Sequence, residues 1–458
     1  MDAAVEFARF AANTRYEDLP SEVVDGVKRT LLDSLGVAAA GSAGPGIREI
    51  IELLAGWGGR KESSVLIYGY RLPAVNAAFA NGAMARALDY NETYDSGSTH
   101  PTISVMPAAE AIAERVRKVS GKDFIAAIAV AFEIQCRMAD AAAAPGHWIA
   151  PQLTGYTSSA AAAGKLLGLT EDQLVNAFGI AYSQVAGGRQ SSTERALTRG
   201  LQGAFSAKGG LLSALLAQTG ITGPHESLEG EHGYYRAYYG GKYDRNALVG
   251  GLGDKFECLG ISYKPYPSCR HLHCHILATI ELVEQYDIRP EDVDEVTAYV
   301  GAFVKGTFEP RKVAYDPKTV VECQFSAPYV IATTILNRTV TLADFLGTGF
   351  RNPRVLQMAQ KIVPVYDASL SPPRKMEQAR LEIRTRDGRT FASRLVEFAK
   401  GHPANPMTEG ELVAKFRDCL AYSAKPVPVD NVDRVVEMVG RLETVNDVSS
   451  ILKLLRGA

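Results

Sequence analysis

The chain has 458 residues, more than a single hydrophobic core usually serves, so two domains are expected. Apolar residues make up 46% and charged residues 22%, which is the composition of an ordinary globular protein. The formal net charge of −2 argues against a nucleic acid or an anionic membrane as the partner. An acidic substrate would have to be attracted by a local cluster of basic side chains.

Cysteine usage and hydropathy favour a soluble cytoplasmic protein. The six cysteines include no CxxC pair, so neither a disulfide framework nor a zinc ribbon is expected, and a reducing cytoplasm fits best. The N-terminus carries Asp2 and Glu6 and lacks the apolar stretch of a secretory signal. The longest apolar run, residues 124–132, is too short to cross a bilayer.

Helical periodicity dominates the first half of the chain. Apolar residues recur at helical spacing from Val23 to Leu35, and Pro20 suits the first turn of that helix. Alanine is the strongest helix former and lets helices pack closely. Residues 1–265 are therefore predicted to form the first part of a helical domain. Its alanine-rich helices are placed at 74–90, 105–117, 122–143, 157–168, 171–186 and 203–219.

Strand signals appear after residue 265. Residues 293–300 alternate apolar and polar side chains, as a half-buried strand does. Two further strand-like runs, 380–386 and 390–396, flank Asp387-Gly388, which is a strong hairpin signal. Residues 266–398 are therefore predicted to form an α+β domain. Its predicted helical segments are 325–336 and 341–346.

The tail, residues 399–458, returns to helix. Thr408 and Glu411 form a capping box ahead of apolar residues at helical spacing. No internal repeat or low-complexity tract interrupts the pattern.

The loop from Ala87 to Pro101 is the first candidate site, because it concentrates polar side chains between two predicted helices. His100 is a candidate general acid or base, since an imidazole titrates near neutrality. Asp89 is placed to orient His100 or to bind a substrate hydroxyl. The alternative is a solvated acidic loop with Asp89 at a helix end.

The second candidate site lies at residues 262–275, where Lys264, Arg270 and three histidines follow two prolines. On a strand, His271, His273 and His275 would share one face and suggest a metal site. No adjacent carboxylate or HExxH motif supports that reading. We favour a cationic hinge that binds carboxylates through charge-assisted hydrogen bonds. An ordinary basic loop, with His271 or His275 facing a helical core, is the remaining alternative.

A third candidate site is predicted around Arg195 and Arg199, one turn apart at the start of a glycine- and alanine-rich helix. There the helix dipole would help Arg199 to attract an anion. The alternative is a solvated basic turn. His147, which precedes Trp148 in a turn, is a weaker candidate, and the sequence contains no P-loop and no GxSxG elbow.

Taken in order, these stretches resemble the MmgE/PrpD family over nearly the whole chain. No single motif is decisive, but seven in the right order are specific. The motifs are Ala87-Leu88-Asp89 with Thr93 and Thr99-His100-Pro101; 162–169; Thr222-Gly223-Pro224 with 228–230; 264–270 with His273; 316–319; 324–329; and 405–408 before Glu411.

The resemblance implies a mainly α fold with an inserted α+β domain, and an active site in the cleft between the two domains. It also implies a homodimer with no metal or organic cofactor. By position, Asp89, Thr93 and His100 match the family's first active-site loop. Lys264 matches its hinge lysine, His273 a nearby histidine, and Tyr329 its cleft tyrosine.

The chain departs from the family pattern at three positions. Arg199 stands where members commonly have lysine, and Gln202 where they have histidine. Another expected histidine falls at Ile149, and His147 replaces it only if the loop shifts. An arginine still holds a carboxylate, but it does not readily shuttle a proton because its pKa exceeds about 12.

The predicted function is that of a cofactor-independent lyase, a dehydratase that removes a proton next to a carboxylate of a 2-methylcitrate-like substrate. Lys264, Arg199 and Arg270 are assigned to substrate carboxylates. His100 is assigned to proton transfer, and Tyr329 to a second proton donation. The alternatives are an epimerase or a cis-aconitate-type decarboxylase, and a catalytically silent carboxylate-binding homologue.

Overall fold

The computed structural model describes residues 1–143, 146–372 and 374–457. The chain divides into two compact units, each with its own hydrophobic core. Unit 1 contains residues 1–87, 91–261 and 408–458, and unit 2 contains residues 88–90 and 262–407. Helices dominate, which confirms the predicted mainly α fold.

The first part of unit 1 is built from helices joined by short connections and very short strands. Its strands are β1 (Ser63–Ser64), β2 (Arg71–Leu72), β3 (Thr93–Tyr94) and β4 (Ile261–Ser262), which ends on the first residue of unit 2. Its helices are α1 (Ala3–Asn13), α2 (Ser21–Gly41), α3 (Ile47–Trp57), α4 (Ala74–Arg86), α5 (Thr102–Val116), α6 (Gly121–Ala141), α7 (Ala150–Leu166), α8 (Glu171–Tyr182), α9 (Gln190–Thr193), α10 (Gln202–Gln218), α11 (Tyr234–Tyr239) and α12 (Arg245–Val249).

All six predicted alanine-rich helices are present, but their starts and ends differ from the prediction. Helix α7 begins at Ala150 rather than at 157, because Pro151 is compatible with the first turn of a helix. The buried face of α7 also contains polar residues, such as Thr154 and Ser158, so the start of this helix lacks a regular apolar periodicity. Helix α4 ends at Arg86 and not at 90.

Small residues bring the starts of α5, α7 and α10 together. A Cβ added to Gly155 of α7 would lie 2.7 Å from Ser206 Oγ and 2.9 Å from Ser104 Oγ. A Cβ on Gly203 of α10 would lie 2.4 Å from the carbonyl oxygen of Ile103. Each of these residues lies in or near the first turns of its helix. The loops that precede α5, α7 and α10 therefore lie at the same end of unit 1.

Unit 2 contains a four-stranded sheet in the order β6-β5-β7-β8. Strand β5 pairs parallel with β6 and antiparallel with β7, and β7 and β8 form the predicted hairpin at Asp387-Gly388. Its strands are β5 (Val293–Val300), β6 (Ile362–Tyr366), β7 (Arg380–Thr385) and β8 (Thr390–Ala392). Its helices are α13 (His273–Gln285), α14 (Ala302–Gly306), α15 (Arg311–Ala314), α16 (Val320–Gln324), α17 (Ala327–Asn337) and α18 (Pro353–Ala359).

Strand β6 was not predicted from the sequence. It contains Pro364, which cannot donate a ladder hydrogen bond and therefore argues against a strand. The strand lies at the edge of the sheet, where a missing donor is tolerated, and it exposes Val363 and Val365. The predicted helix at 341–346 is reduced to a single 3-10 turn, Leu342–Asp344.

The tail returns to unit 1 as α19 (Glu409–Ala421), α20 (Val429–Gly440) and α21 (Ser449–Leu454). The predicted capping box is confirmed, since Glu411 N–H donates to Thr408 Oγ1 at 3.2 Å and Thr408 N–H donates to Glu411 Oε2 at 2.7 Å. Lys415 of α19 forms a buried ion pair with Asp33 of α2 at 2.7 Å. The tail is therefore part of the unit 1 core.

Within the described ranges, no helix combines the length and the apolarity needed to cross a bilayer. The six cysteines are free thiols, and all of them are buried.

Two glutamates on α5, Glu110 and Glu114, are buried one helical turn apart. Glu114 accepts hydrogen bonds from Ser64 Oγ at 2.8 Å and from Arg456 at 2.9 Å. Burial, and then the nearby Glu114 carboxylate, raises the pKa of Glu110 to about 8. Glu110 is therefore largely protonated at neutral pH in the folded protein.

We predict that Glu110→Gln changes how stability depends on pH. The unfolded pKa of Glu110 is about 4.5, so its neutral form stabilises the fold fully at low pH, and this contribution is lost as the pH rises through about 8. Glutamine does not ionise. The free energy of unfolding of the variant, relative to wild type, should therefore increase by roughly a few kcal/mol between pH 5 and pH 8.5 in urea titrations.

Glu114→Gln is the matched control, because it removes a carboxylate that is hydrogen-bonded on the same helix. This variant should be less stable than wild type at both pH values. A Glu110→Gln variant with the wild-type pH dependence would contradict the assignment.

Candidate active site

A buried ion pair joins Asp89 to Lys264 inside unit 2. Lys264 Nζ donates to the backbone carbonyl of Asp89 at 2.7 Å and lies 3.2 Å from its Oδ2 atom. Both side chains are almost fully buried, Asp89 with 3% and Lys264 with 1% of its surface exposed. Asp89 has a φ of 50°, a left-handed conformation that aspartate tolerates better than most residues. Within unit 2 Asp89 contacts Lys264, and its predicted role next to His100 stays a prediction.

Three further hydrogen bonds hold residues 88–90 against residues 264–267. The hydroxyl of Tyr90 donates to the carbonyl of Pro265 at 3.0 Å. Gln324 Nε2 donates to the carbonyls of Leu88 and Pro267, the latter at 3.2 Å. These contacts explain why this short segment belongs to unit 2, although it directly follows a helix of unit 1.

Positive charge is concentrated around this pair. Arg270 is buried, and its Nη1 donates to the carbonyl of Lys400 at 3.2 Å. His273 is fully buried, with Nε2 3.3 Å from the carbonyl of Ser268. Burial, followed by the charges of Arg270 and Lys264, holds the pKa of His273 well below its usual value. His273 is therefore neutral, and the two basic side chains, Lys264 and Arg270, lie close enough to it to lower its pKa. Such a cluster is suited to bind carboxylates.

A metal site would need residues 271–275 to form a strand, which would place the three histidines on one face, but this segment is helical. Residues 270–272 form a 3-10 turn and α13 begins at His273, so the strand reading of this segment is wrong. His271 stacks on Phe303 with a ring distance of 4.0 Å, and His275 Nε2 lies 3.0 Å from the carbonyl of Tyr299. The three histidines therefore have three different surroundings.

In unit 1, His100 is held by the loop that precedes it. Its Nδ1 atom lies 2.7 Å from the backbone carbonyl of Glu92 and 3.4 Å from Thr93 Oγ1. A carbonyl only accepts, so this short contact assigns the proton to Nδ1. In the neutral ring Nε2 then carries the lone pair, as a general base requires.

Sequence reasoning gave no role to Glu92, yet its side chain is fully buried at the same loop. Its Oε1 atom accepts from Thr102 N–H at 2.8 Å, and its Oε2 atom contacts the Thr102 hydroxyl. Burial raises the pKa of Glu92. No sequence signal identifies this residue, because its partner is ten positions away in an aperiodic loop.

Arg195 and Arg199 do not lie on a helix as predicted. Arg195 has a φ of 55°, and Arg199 lies in a 3-10 turn, Leu197–Leu201, that ends before α10 begins at Gln202. The glycine at 200 weakens the regular helix that the arginine spacing suggested. Gln202 is 4% exposed, and its Nε2 atom has no hydrogen-bond partner in the described part of the chain.

His147 is exposed, whereas Ile149 is buried directly ahead of α7. The backbone N–H of Ile149 donates to the carbonyl of Gly187 at 2.9 Å, and Arg189 N–H donates to the carbonyl of His147 at 2.9 Å. Ile149 is therefore fixed in a buried position at the start of α7, and the side chain of His147 lies at the surface in this conformation.

Tyr329 is buried in unit 2, where its hydroxyl donates to the carbonyl of Asp344 at 2.5 Å. Burial raises the pKa of Tyr329 far above its usual value. The phenolic proton is held by the protein's own backbone in this conformation, and the role of Tyr329 as a proton donor stays a prediction.

Comparison with known proteins agrees with the sequence motifs. Residues 5–246 match the MmgE/PrpD N-terminal domain, and residues 266–440 match the MmgE/PrpD C-terminal domain. Human cis-aconitate decarboxylase is 27% identical over 98% of this chain and 94% of its own. The cis-aconitate decarboxylase of Aspergillus terreus is 26% identical over 98% of this chain and 95% of its own. A 2-methylcitrate dehydratase of Salmonella typhimurium is 24% identical over 92% and 90%.

We predict strong energetic coupling between Asp89 and Lys264. Removing one member of a buried ion pair leaves the other charge without its counterion and costs about 3–5 kcal/mol. Asp89→Asn and Lys264→Met should each lower the free energy of unfolding by this amount. The double variant should lose at least about 1 kcal/mol less than the sum, as measured by chemical denaturation.

The exposed pair Asp316–Lys318, 2.6 Å apart in the same unit, is the matched control. A double-mutant cycle at Asp316 and Lys318 should show little coupling, because solvent screens exposed charges. Additive losses at Asp89 and Lys264 would contradict the prediction.

Proposed function

Because this chain belongs to the MmgE/PrpD family, we propose that it is a lyase that acts on a small polycarboxylate by moving a proton next to a carboxylate. The observation that carries the proposal is the buried cationic cluster of Lys264 and Arg270 around Asp89. A lyase reaction at such a substrate places negative charge on the carbon next to a carboxylate. Fixed cations at that carboxylate stabilise this charge best where water is excluded.

Decarboxylation of a cis-aconitate-like substrate is our first candidate reaction, since the decarboxylases have higher identity to this chain than the dehydratases. In this reaction the carbon–carbon bond to one carboxylate breaks and CO2 leaves. Its electron pair is delocalised toward a second carboxylate, which we assign to Lys264 and Arg270. The carbanion is then protonated, and we assign this step to the imidazolium form of His100.

Dehydration of a 2-methylcitrate-like substrate is the second candidate, favoured by the similarity to 2-methylcitrate dehydratases. Here neutral His100 removes the proton next to the carboxylate through Nε2. The hydroxyl group then leaves as water after it receives a proton. The two reactions use the same carboxylate-binding groups and the same imidazole, so they differ in the leaving group.

Arg199 and Gln202 give a reason to consider a carboxylate-binding protein without catalytic activity. Arginine does not readily exchange a proton at neutral pH, and the amide of glutamine does not titrate. Both side chains still carry N–H groups of the kind that a carboxylate accepts. We assign them to binding, which leaves proton transfer to His100.

We predict that His100→Ala lowers kcat by about a hundredfold or more, because it removes the group that transfers the proton. Steady-state kinetics with cis-aconitate and with 2-methylcitrate measures the effect. His225→Ala, at an exposed histidine of the same unit, should keep wild-type turnover. A His100→Ala variant as fast as wild type removes His100 from the mechanism.

Incubation of each substrate in D2O separates the reactions. Release of CO2 with one deuterium incorporated identifies decarboxylation, and formation of an alkene with loss of water identifies dehydration. Deuterium exchange with inversion identifies epimerisation. Tight binding of these anions by calorimetry, without any turnover, would overturn the proposed lyase activity in favour of a binding protein.

A further inference from the structure

Glu92 contacts the residues on both sides of Pro101. Its backbone carbonyl meets Nδ1 of His100 at 2.7 Å, and its carboxylate accepts from the N–H of Thr102 at 2.8 Å. Pro101 lies between these two contacts, at the position before the first residue of α5. A single residue therefore holds the imidazole with its main chain and the start of the helix with its side chain.

The carboxylate of Glu92 acts as the cap of α5. The residue in the capping position is Pro101, whose side chain cannot accept a hydrogen bond. Both oxygens of Glu92 contact Thr102, the first residue of the helix. A negative group at this end is also favoured by the helix dipole. The side chain is fully buried, so it has little freedom to leave this position.

The carbonyl of Glu92 has a second donor besides the imidazole. Asn91 Nδ2 donates to it at 3.0 Å, and Asn91 Oδ1 in turn accepts from Arg86 Nη1 at 2.9 Å. The carbonyl therefore accepts on both of its lone pairs. A rotation of the 92–93 peptide would break both hydrogen bonds and would turn an N–H toward His100. That arrangement demands the opposite tautomer of the ring.

From this geometry we propose that Glu92 is a positioning residue for the reacting imidazole. Its capped side chain keeps the carbonyl directed at Nδ1 of His100, so that Nε2 carries the lone pair. This inference rests on the proposed function only in one respect, the expected loss of kcat in the variants. The tautomer of His100 is a property of the resting protein, whether or not the protein turns over a polycarboxylate.

The charged surroundings of Glu92 are consistent with a structural rather than a proton-transferring role. Burial, and to a lesser extent the Asp33 carboxylate, raises the pKa of Glu92. Asp33 is itself paired with Lys415 at 2.7 Å, and Arg86 reaches the loop through Asn91. Both carboxylate oxygens of Glu92 are engaged with Thr102 and do not contact the imidazole in the described contacts.

The test compares Glu92→Gln with Glu92→Ala in the full chain. Glutamine keeps an acceptor for Thr102 N–H and should retain the position of the loop, so kcat should stay within a few-fold of wild type. Alanine removes the cap, and kcat should fall by about ten- to a hundredfold with a smaller change in KM, because a misplaced catalytic group loses rate rather than binding. Glu110→Gln, a buried carboxyl farther along α5, is the matched control with unchanged kcat.

The second readout is the tautomer of His100, measured from the ring nitrogen shifts of protein labelled with ¹⁵N-histidine and assigned with His100→Gln. Wild type and Glu92→Gln should show the proton on Nδ1, and Glu92→Ala should show a mixture of tautomers. If Glu92→Ala does not fold, Glu92→Met replaces it, since methionine fills a similar space and offers no carboxylate to accept from Thr102. A ring that keeps its tautomer in the variant without the contact overturns the proposal. Failure of the wild-type enzyme to act on polycarboxylates overturns the proposed function and leaves the tautomer readout valid.

Discussion

The buried contact between Lys264 and Asp89 is the constraint on which the interpretation of unit 2 depends. Two opposite charges without solvent are expensive to bury and need close hydrogen-bonding partners. Here the partners come from residues 88–90, which the chain inserts into unit 2 between two segments of unit 1. Because of this desolvation cost, the presence of the pair does not by itself show that it stabilises the fold. Arg270 and a neutral His273 lie near the pair, and Arg270 adds a second basic side chain, to which we assign a substrate carboxylate.

The chemistry assigned to unit 1 depends on a different constraint, the packing of helix starts. Glycines at 155 and 203 let α5, α7 and α10 approach closely near their first turns. The loops ahead of these helices consequently lie at one end of the unit, and they carry His100, Arg199 and Ile149. Helix starts present N–H groups and the positive end of the dipole. Both units thus present groups that favour an anionic ligand, although the net charge of the chain is slightly negative.

Much of the fold and part of the candidate site followed from the sequence. Local sequence patterns predicted the elements that are determined by neighbouring residues. Examples are the Thr408 capping box, the Asp387-Gly388 hairpin and the alternating strand at 293–300. Such patterns failed where a residue's role is set by distant partners. Asp89 forms an ion pair with Lys264, 175 residues along the chain, and no local pattern predicts that contact. No sequence pattern around Glu92 indicates its contacts with His100 and Thr102. The alternating histidines suggested a strand at 271–275, but helix α13 begins at His273.

We infer that the basic side chains of Lys264 and Arg270 bind the carboxylate at which negative charge develops. A crystal structure of the His100→Ala variant soaked with cis-aconitate tests this most directly. We expect a substrate carboxylate within hydrogen-bonding distance of Lys264 Nζ or of the Arg270 guanidinium. A bound tricarboxylate whose oxygens contact neither group would contradict it.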